Sequence, residues 1–480
     1  MDGSAQAATR SPVPRLARLL GDVRPGEWGT VALLLAAVFV AMVGYYVLKV
    51  VREPLVLVTG GSTLKSYAAG VQAALLLVLV PVYSRLAARV SRERLVLGVV
   101  AFFVVCTELF YLGERLSVPY LGFAFYVWTG LVALALLAQV WSLTNDLYGR
   151  ETGERLIPLI AIGAPVGSVV GSYGSKWLID EADATPAALL QLAAGLLALH
   201  LGLYVAVLRR AEARLAPPRP VAADDPAAGS VLGGFTLVAR SPYLRTLAAT
   251  SIVLNLVNTN GEFILSTAVL AEAKRQAVEA LAVTPDADAS ALVKRGVGSF
   301  YGGFYTLVNV VTLSLQVFVA ARLVRVAGIA GAVFALPLVA LGGYAAIAAG
   351  ASLAVVRLAK VAENATDYSI MNTARALVWL PTQRAEKYAA KQAVDTFFVR
   401  FGDVLSAGAV WAGTTLLGFD EARADGFMLE WTRRAFAGGN LVLVAVWLTL
   451  CVVVVRSYRR ASVDVAGVTS VSADVAPPRA

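Results

Sequence analysis

Apolar residues run along this chain in blocks of roughly twenty, the length a helix needs to cross about 30 Å of hydrocarbon. The blocks begin near Trp28, Leu64, Arg94, Tyr120, Leu156, Pro186, Leu244, Gly296, Gly328, Leu353, Val399 and Phe436, which predicts twelve membrane-spanning helices. The sixth block ends at Arg209. A polar, Pro-rich stretch follows, RRAEARLAPPRPVAADDPAAGS, whose composition is that of a flexible, exposed connection. The expected organisation is therefore a tail over 1–27, a six-helix bundle over 28–208, a linker over 209–243, a second six-helix bundle over 244–456 and a tail over 457–480. After the Pro-rich stretch, the segment VLGGFTLVARSPYLRTL is amphipathic and is expected to lie on the inner membrane surface.

Composition strengthens this reading. The chain of 480 residues is 58% hydrophobic and has a mean hydropathy of +0.71, well above an ordinary soluble domain. The net charge of +9 raises the question of nucleic acid, but its distribution answers it. Basic clusters at Arg85, Arg89, Arg92 and Arg94, at Arg209, Arg210, Arg214 and Arg219, and at Arg456, Arg459 and Arg460 fall on alternate connections. That is the positive-inside bias, with both termini cytoplasmic, and it needs no nucleic-acid partner. A multi-pass protein of a cell membrane, of the bacterial inner-membrane kind, is expected. Cys106 and Cys451 both lie within apolar blocks and imply neither a disulfide framework nor a thiol metal site. The Arg-rich N-terminal tail lacks the apolar region and cleavage site of a signal peptide and reads as a cytoplasmic tail.

The tenth block is the exception to the apolar pattern. In VVRLAKVAENATDYSIMNTAR the charged residues Arg357, Lys360, Glu363 and Asp367 are three, three and four apart, which sets them on one helical face. Unrelieved at the bilayer centre, four charges would cost on the order of 10 kcal/mol, so they must face a polar cavity or one another. Glu363 and Asp367 could share a coupling proton, their repulsion raising at least one pKa; the alternative is a salt-bridge network with the neighbouring cations. Other charges stand at Arg52 and Glu53 after block one, Glu151 and Glu154 after block four, Glu262 in block seven, and Arg375. Cations lining a cavity favour an anionic solute, and arginine adds a planar fork suited to phosphate or carboxylate. Gly163, Gly167 and Gly171, with Pro165 and Ser168 among them, give one face of block five the small residues that permit close helix approach, either a sliding contact between the halves or static packing.

Enzymatic signatures are missing. TGGSTLKS, residues 59–66, lacks the Gly-Lys-Ser/Thr ending of a phosphate-binding loop and is expected to be a loop after helix one. His200, the only histidine, sits among leucines and is assigned to packing. No cofactor, metal site or enzyme activity is expected.

Asn145 ends block four much as Asn372 ends block ten, and parallel repeats of this sort suit a major-facilitator arrangement, in which two bundles rock about a central site. Several stretches also resemble the nucleotide transporter family, the ATP/ADP translocases of plastids and intracellular bacteria. YYVLKVVREPLVLV is similar to that family's Leu-Arg-Asp-Thr-Lys-Asp segment, with Arg52 at a functional lysine and Glu53 at the neighbouring aspartate. WSLTNDLYGRETGERLIPLIAIGA follows its spacing through Trp141, Asn145, Glu151, Arg155, Pro158 and Gly163. In the second half Tyr368, Ser369, Pro381, Lys391, Asp395, Arg400 and Gly402 match in order, and Arg375 replaces a functional lysine. Asn258 stands where the family has a functional glutamate, and Asp367 where it has lysine.

The resemblance implies a major-facilitator-like secondary carrier, a monomer, exchanging nucleotides of the ATP/ADP type or a related phosphorylated anion by alternating access. Arg52, Glu151, Asn258 and Arg375 would bind substrate, while Lys360, Glu363 and Asp367 would serve coupling or gating. A proton-coupled facilitator for another small molecule and a non-transporting membrane sensor or scaffold are the rival readings.

Overall fold

A computed structural model describes residues 23–24, 26–87, 89–211, 231–382, 386–421 and 423–474; the tails, most of the linker and the segment 383–385 lie outside the described residues. Among the described residues the chain is almost wholly helical and has no strand. Helix α1 (28–59) and α2 (62–87) are joined at Gly60 and Gly61; Gly61 takes φ +72°, a left-handed turn that glycine adopts without a Cβ clash. Then come α3 (Arg92–Arg115), α4 (Leu121–Leu147), α5 (Arg150–Ala161 and Gly163–Glu181, meeting at Ile162) and α6 (Pro186–Ala211). Short α7 (Val231–Arg240) leads into α8 (Pro242–Val283), α9 (289–327), α10 (329–348), α11 (353–377), α12 (386–416) and α13 (Gly426–Asp474). Gly328, at φ +62°, separates α9 from α10.

Two expectations change here. TGGSTLKS is a helix break at its two glycines rather than a loop, and Ser62 to Ser66 already belong to α2. The chain reverses on two residues because glycine alone tolerates that backbone. The amphipathic α7 docks on α12, with the Phe235 ring 4.8 Å from Phe397 and 5.7 Å from Phe398. Part of its apolar face is thus covered by protein. The last helix also runs through the expected boundary at 456, reaching Asp474.

Seven stretches among the described residues are long and apolar enough to cross a membrane: Trp28–Leu79, Glu93–Arg115, Leu121–Asn145, Glu151–Glu181, Pro186–Arg210, Ala289–Ala348 and Gly426–Arg460. The first and sixth contain the glycine breaks. Helices α8, α11 and α12 are of comparable length but are interrupted by Asn, Thr, Asp, Glu, Lys and Arg side chains. These are the helices that carry most of the buried polar groups described below.

In the first half α1 and α2 pack against α4, α5 and α6; in the second, α8 packs against α12 and α13, and α10 against α13. The glycine face of α5 belongs to the first of these contacts. A Cβ on Gly163, Gly167 or Gly171 would lie 2.7, 2.5 or 2.7 Å from the carbonyl oxygens of Leu35, Phe39 and Val43. The stripe therefore packs α5 on α1 within one half, and the sliding-contact reading does not apply to it. The neighbouring side of α5 meets α9 of the other half, through Ser172 with Thr306 (3.1 Å) and Lys176 with Ser299 (3.3 Å). His200 is buried in α6, its Nδ1 3.0 Å from the Ala37 carbonyl of α1, a packing position.

Candidate functional site

Where the two halves face each other, six charged side chains alternate in sign along a continuous line. Arg52 donates to Glu53 Oε1 through Nε (3.1 Å) and Nη2 (2.5 Å), with its guanidinium 4.1 Å over the Tyr126 ring. Lys65 Nζ lies 2.8 Å from Glu53 Oε2, an ion pair without hydrogen-bond alignment, and donates to Ser266 (2.8 Å) and Tyr301 (3.2 Å). It also stands 3.7 Å from Glu262. Glu262 is in turn 3.8 Å from Lys360, which pairs with Glu363 at 2.9 Å. The line runs Arg52, Glu53, Lys65, Glu262, Lys360, Glu363, with its first three members on α1 and α2 and its last three on α8 and α11.

Aromatic and amide groups complete it. Tyr305 donates to Glu53 (2.8 Å) across the halves, and Tyr344 donates to both oxygens of Glu363 (3.1 and 2.9 Å). Lys360 donates to Asn258 Oδ1 at 2.9 Å. Burial of this many charges is tolerable because each has an opposite neighbour and most remaining polar atoms are hydrogen-bonded. Lys49 differs: its ammonium has aromatic neighbours, 4.2 Å from the Tyr305 centroid and 5.2 Å from Tyr46, and no carboxylate within ion-pair distance among the described residues.

The residues singled out from sequence are distributed unevenly. Arg52, Asn258, Lys360 and Glu363 lie in the line or touch it. Asp367 pairs instead with Arg375 (3.0 Å), the latter 37% exposed, so Glu363 and Asp367 have separate partners. Asp367 opens a π-helical turn, Asp367–Met371, a distortion often found at functional sites. Arg357 turns toward Phe300 of α9, 5.3 Å from its ring, and leaves the face it was expected to share. Glu151 is not brought to the line: it is 87% exposed at the start of α5 and pairs with Arg24 at 3.2 Å. Glu27 and Arg155 close the same end in a bidentate pair (2.9 and 2.8 Å). Sequence reasoning missed Lys65, because the two glycines of TGGSTLKS suggest a loop, and Lys49, whose charge inside the first apolar block is the available signal. Tyr126, Tyr301, Tyr305 and Tyr344 gave no signal, being ordinary aromatics in apolar runs.

Polar contacts between the halves gather toward the end of the molecule that carries the Gly60–Gly61 turn, the distal end. Ser62 donates to Glu421 through its backbone N (2.7 Å) and Oγ (2.8 Å), Lys294 pairs with Glu114 (2.7 Å), and Arg295 pairs with Asp183. Burial pushes the Glu421 carboxyl above its ordinary pKa. A cavity of about 490 Å³, lined by Pro54, Glu114, Asp183 and Lys294, lies beside these pairs rather than at the line of charges. On the opposite, proximal side the site opens: Glu262, Arg375 and Tyr368 are each partly exposed.

No family model matches the chain, and no curated protein matches it. Solved structures do match. A mutant of the nucleoside transporter NupG superposes with a TM-score of 0.65 at 12% identity, covering 88% of this chain and 99% of that one. A bacterial homolog of the human lysosomal transporter Spinster, inward-facing and unoccupied, gives 0.59 at 12% identity, covering 92% and 99%. A bacterial homologue of the iron transporter ferroportin, in an inward-facing state, gives 0.57 at 15% identity, covering 88% and 98%. At these identities the likeness is one of fold: an all-α membrane protein of the major-facilitator type.

Proposed function

We propose that the protein is a secondary carrier that moves a phosphate-bearing anion across a membrane by alternating access, with nucleotide exchange of the ATP/ADP type as the leading case. The observation that carries this reading is the line of buried charges crossing from one half to the other at Lys65 and Glu262, partly exposed on the proximal side. Ion pairs split between two bundles are contacts that a rocking carrier can make and break in each cycle. The excess of cations supports an anionic solute, since Lys49 and Arg357 have no carboxylate partner among the described residues. The motif resemblance to nucleotide carriers supports the same solute class.

Twelve spans, two six-helix halves and a monomeric carrier follow from this reading. With the basic clusters cytoplasmic, the distal end is external and closed, and the conformation described is open to the cytoplasm. Arg375, beside the open side, and Arg52, deeper in, are assigned to phosphate contacts. Asn258 orients Lys360, and Glu151 belongs to the cytoplasmic rim.

Counterflow of labelled ADP into proteoliposomes preloaded with ATP tests the proposal. Uptake should require preload, and Arg52→Gln with Arg375→Gln should weaken apparent affinity by about a hundredfold or more, at roughly 1.5 to 3 kcal/mol per charged hydrogen bond. Uptake that ignores both arginines sinks the assignment. The second reading, proton coupling, draws on Glu363, a buried carboxylate held by Tyr344 and Lys360; it requires uptake driven by a pH gradient without preload and lost in Glu363→Gln.

A further inference from the structure

Glu262 is bonded unlike the other two carboxylates in the line. Glu53 is fully buried and takes Arg52, Lys65 and Tyr305 at 2.5 to 3.1 Å. Glu363, 6% exposed, takes Lys360 and Tyr344 at 2.9 to 3.1 Å. Glu262 is 26% exposed, and its nearest neighbours stand off: Asn364 Nδ2 at 3.3 Å, Lys65 at 3.7 Å and Lys360 at 3.8 Å. The last two exceed hydrogen-bond distance. Each lysine has a closer carboxylate in its own half, so Glu262 is the loosely held member at the junction.

Its backbone, by contrast, is fixed. A Cβ on the preceding Gly261 would meet Tyr344 Oη at 2.1 Å and Lys360 Nζ at 2.8 Å, which shows α8 pressed against α10 and α11 at this level. The Glu262 side chain, 26% exposed on the open side of the site, is the part with room to move.

We propose that Glu262 is a resident stand-in for the anionic group of the substrate. With the site empty, its carboxylate neutralises Lys65 and Lys360 together. The six-member line then holds three cations and three carboxylates, Lys49 standing outside it against the Tyr305 and Tyr46 rings, and the two halves can rock without cargo. An incoming anion takes the space between the two lysines and Glu262 swings aside. Without Glu262 the empty line carries one uncompensated buried cation, and the closed, dehydrated intermediate becomes inaccessible unless an anion is bound. This rests on the carrier reading above, and it makes that carrier capable of net flux as well as exchange, with one side chain deciding between them.

The test has a readout independent of substrate. Spin labels at Val118→Cys and Asp286→Cys, exposed distal positions on opposite halves, in a chain with Cys106 and Cys451 replaced by alanine, report distal opening in ligand-free nanodiscs. Two distances are expected with Glu262 present, and a single short distance in Glu262→Gln. Glu262→Asp should keep both distances. Glu262→Gln combined with Lys65→Gln, which again balances the line, should regain the long one; a merely structural role for Glu262 would not be rescued by removing a second charge. In proteoliposomes the ratio of net ADP entry into empty vesicles to ADP counterflow, taken within each variant, should fall by about a hundredfold or more in Glu262→Gln relative to the unsubstituted chain, the scale of one uncompensated charge. An unchanged distance distribution, or failure of the balanced double variant to differ from Glu262→Gln, overturns the inference. Distances that shift as expected in a protein that moves no ADP would sustain the role of Glu262 and remove the nucleotide reading alone. Should Glu262→Gln not fold, the balanced double variant and Glu262→Asp carry the comparison.

Discussion

The two halves of the protein meet the same demand, burying helix backbone in an apolar slab, by different means. The first half closes its helices through small residues and local hydroxyl bonds. Its α5 glycines bring backbone against α1, and Ser168, Ser172 and Ser175 each donate to a carbonyl four residues back on their own helix. The second half ties its helices with side chains that reach across. Asn440 accepts from Asn260 (3.1 Å) and donates to the Val257 carbonyl (3.0 Å), Ser406 donates to Asn260 (2.6 Å), and Thr259 donates to Asp403 (2.7 Å). Its helices α9, α11 and α12 also contain the π-helical turns found among the described residues. Glycine contacts and back-bonding hydroxyls recur in the second half, as where a Cβ on Gly402 would meet the Ile252 carbonyl at 2.7 Å; what the second half adds is this buried network between helices, and the line of charges joins the two halves.

The comparison breaks most sharply at Glu53, the carboxylate through which the first half anchors two cations. Glu53→Gln leaves Arg52 without a carboxylate and Lys65 with only Glu262, 3.7 Å away, and a loss of about 3 to 5 kcal/mol is expected, read as a lowered melting temperature in detergent. A melting curve unchanged by this substitution would show that water already solvates the pair. Shape is tested next. Gly167→Leu must push α5 away from the Phe39 carbonyl and should cost about 1 to 3 kcal/mol, whereas Gly439→Ala on α13, where a Cβ meets nothing within 4 Å, should be neutral or slightly stabilising. Equal effects at the two sites would mean that the α5–α1 contact is loose.

The smallest effect is at the proximal end. Hydrogen bonds from Arg155 hold the Glu27 carboxyl down to about 2 from its usual 4.5. A depressed carboxyl contributes stability that is complete above its unfolded pKa and fades as pH falls through the folded one. The segment before α1 should therefore stay docked on α5 at pH 4.5 and loosen only as pH nears 2. Arg155→Gln should raise that loosening toward 4.5, visible as faster hydrogen exchange in peptides covering residues 23–27.

Much of the site could be read from the chain, and the omissions have a common cause. Arg52, Glu262, Lys360, Glu363, Asp367 and Arg375 stand out because charge is costly inside an apolar run, so each demands a reason in one dimension. Lys65 escaped because Gly60 and Gly61 suggested a loop, though a pair of glycines between two apolar runs equally describes a two-residue reversal with a new helix starting at once. Glu151 carried weight in the sequence through motif spacing, yet its side chain lies at an exposed helix start, away from the buried charges. Arg357 followed the helical spacing of its neighbours but found an aromatic partner, Phe300, on another helix.

By itself the sequence determined the membrane setting, the helical class and the presence of buried charge, because hydropathy and the cost of charge in lipid act residue by residue along the chain. Which charges meet was decided by the tertiary structure alone. Lys65 and Glu262 are almost two hundred positions apart in the chain, and nothing local specifies that they approach within 3.7 Å. Their pairing follows from how α2 and α8 are set against each other, with Thr267 donating to Ser62 and Lys65 to Ser266, each at 2.8 Å.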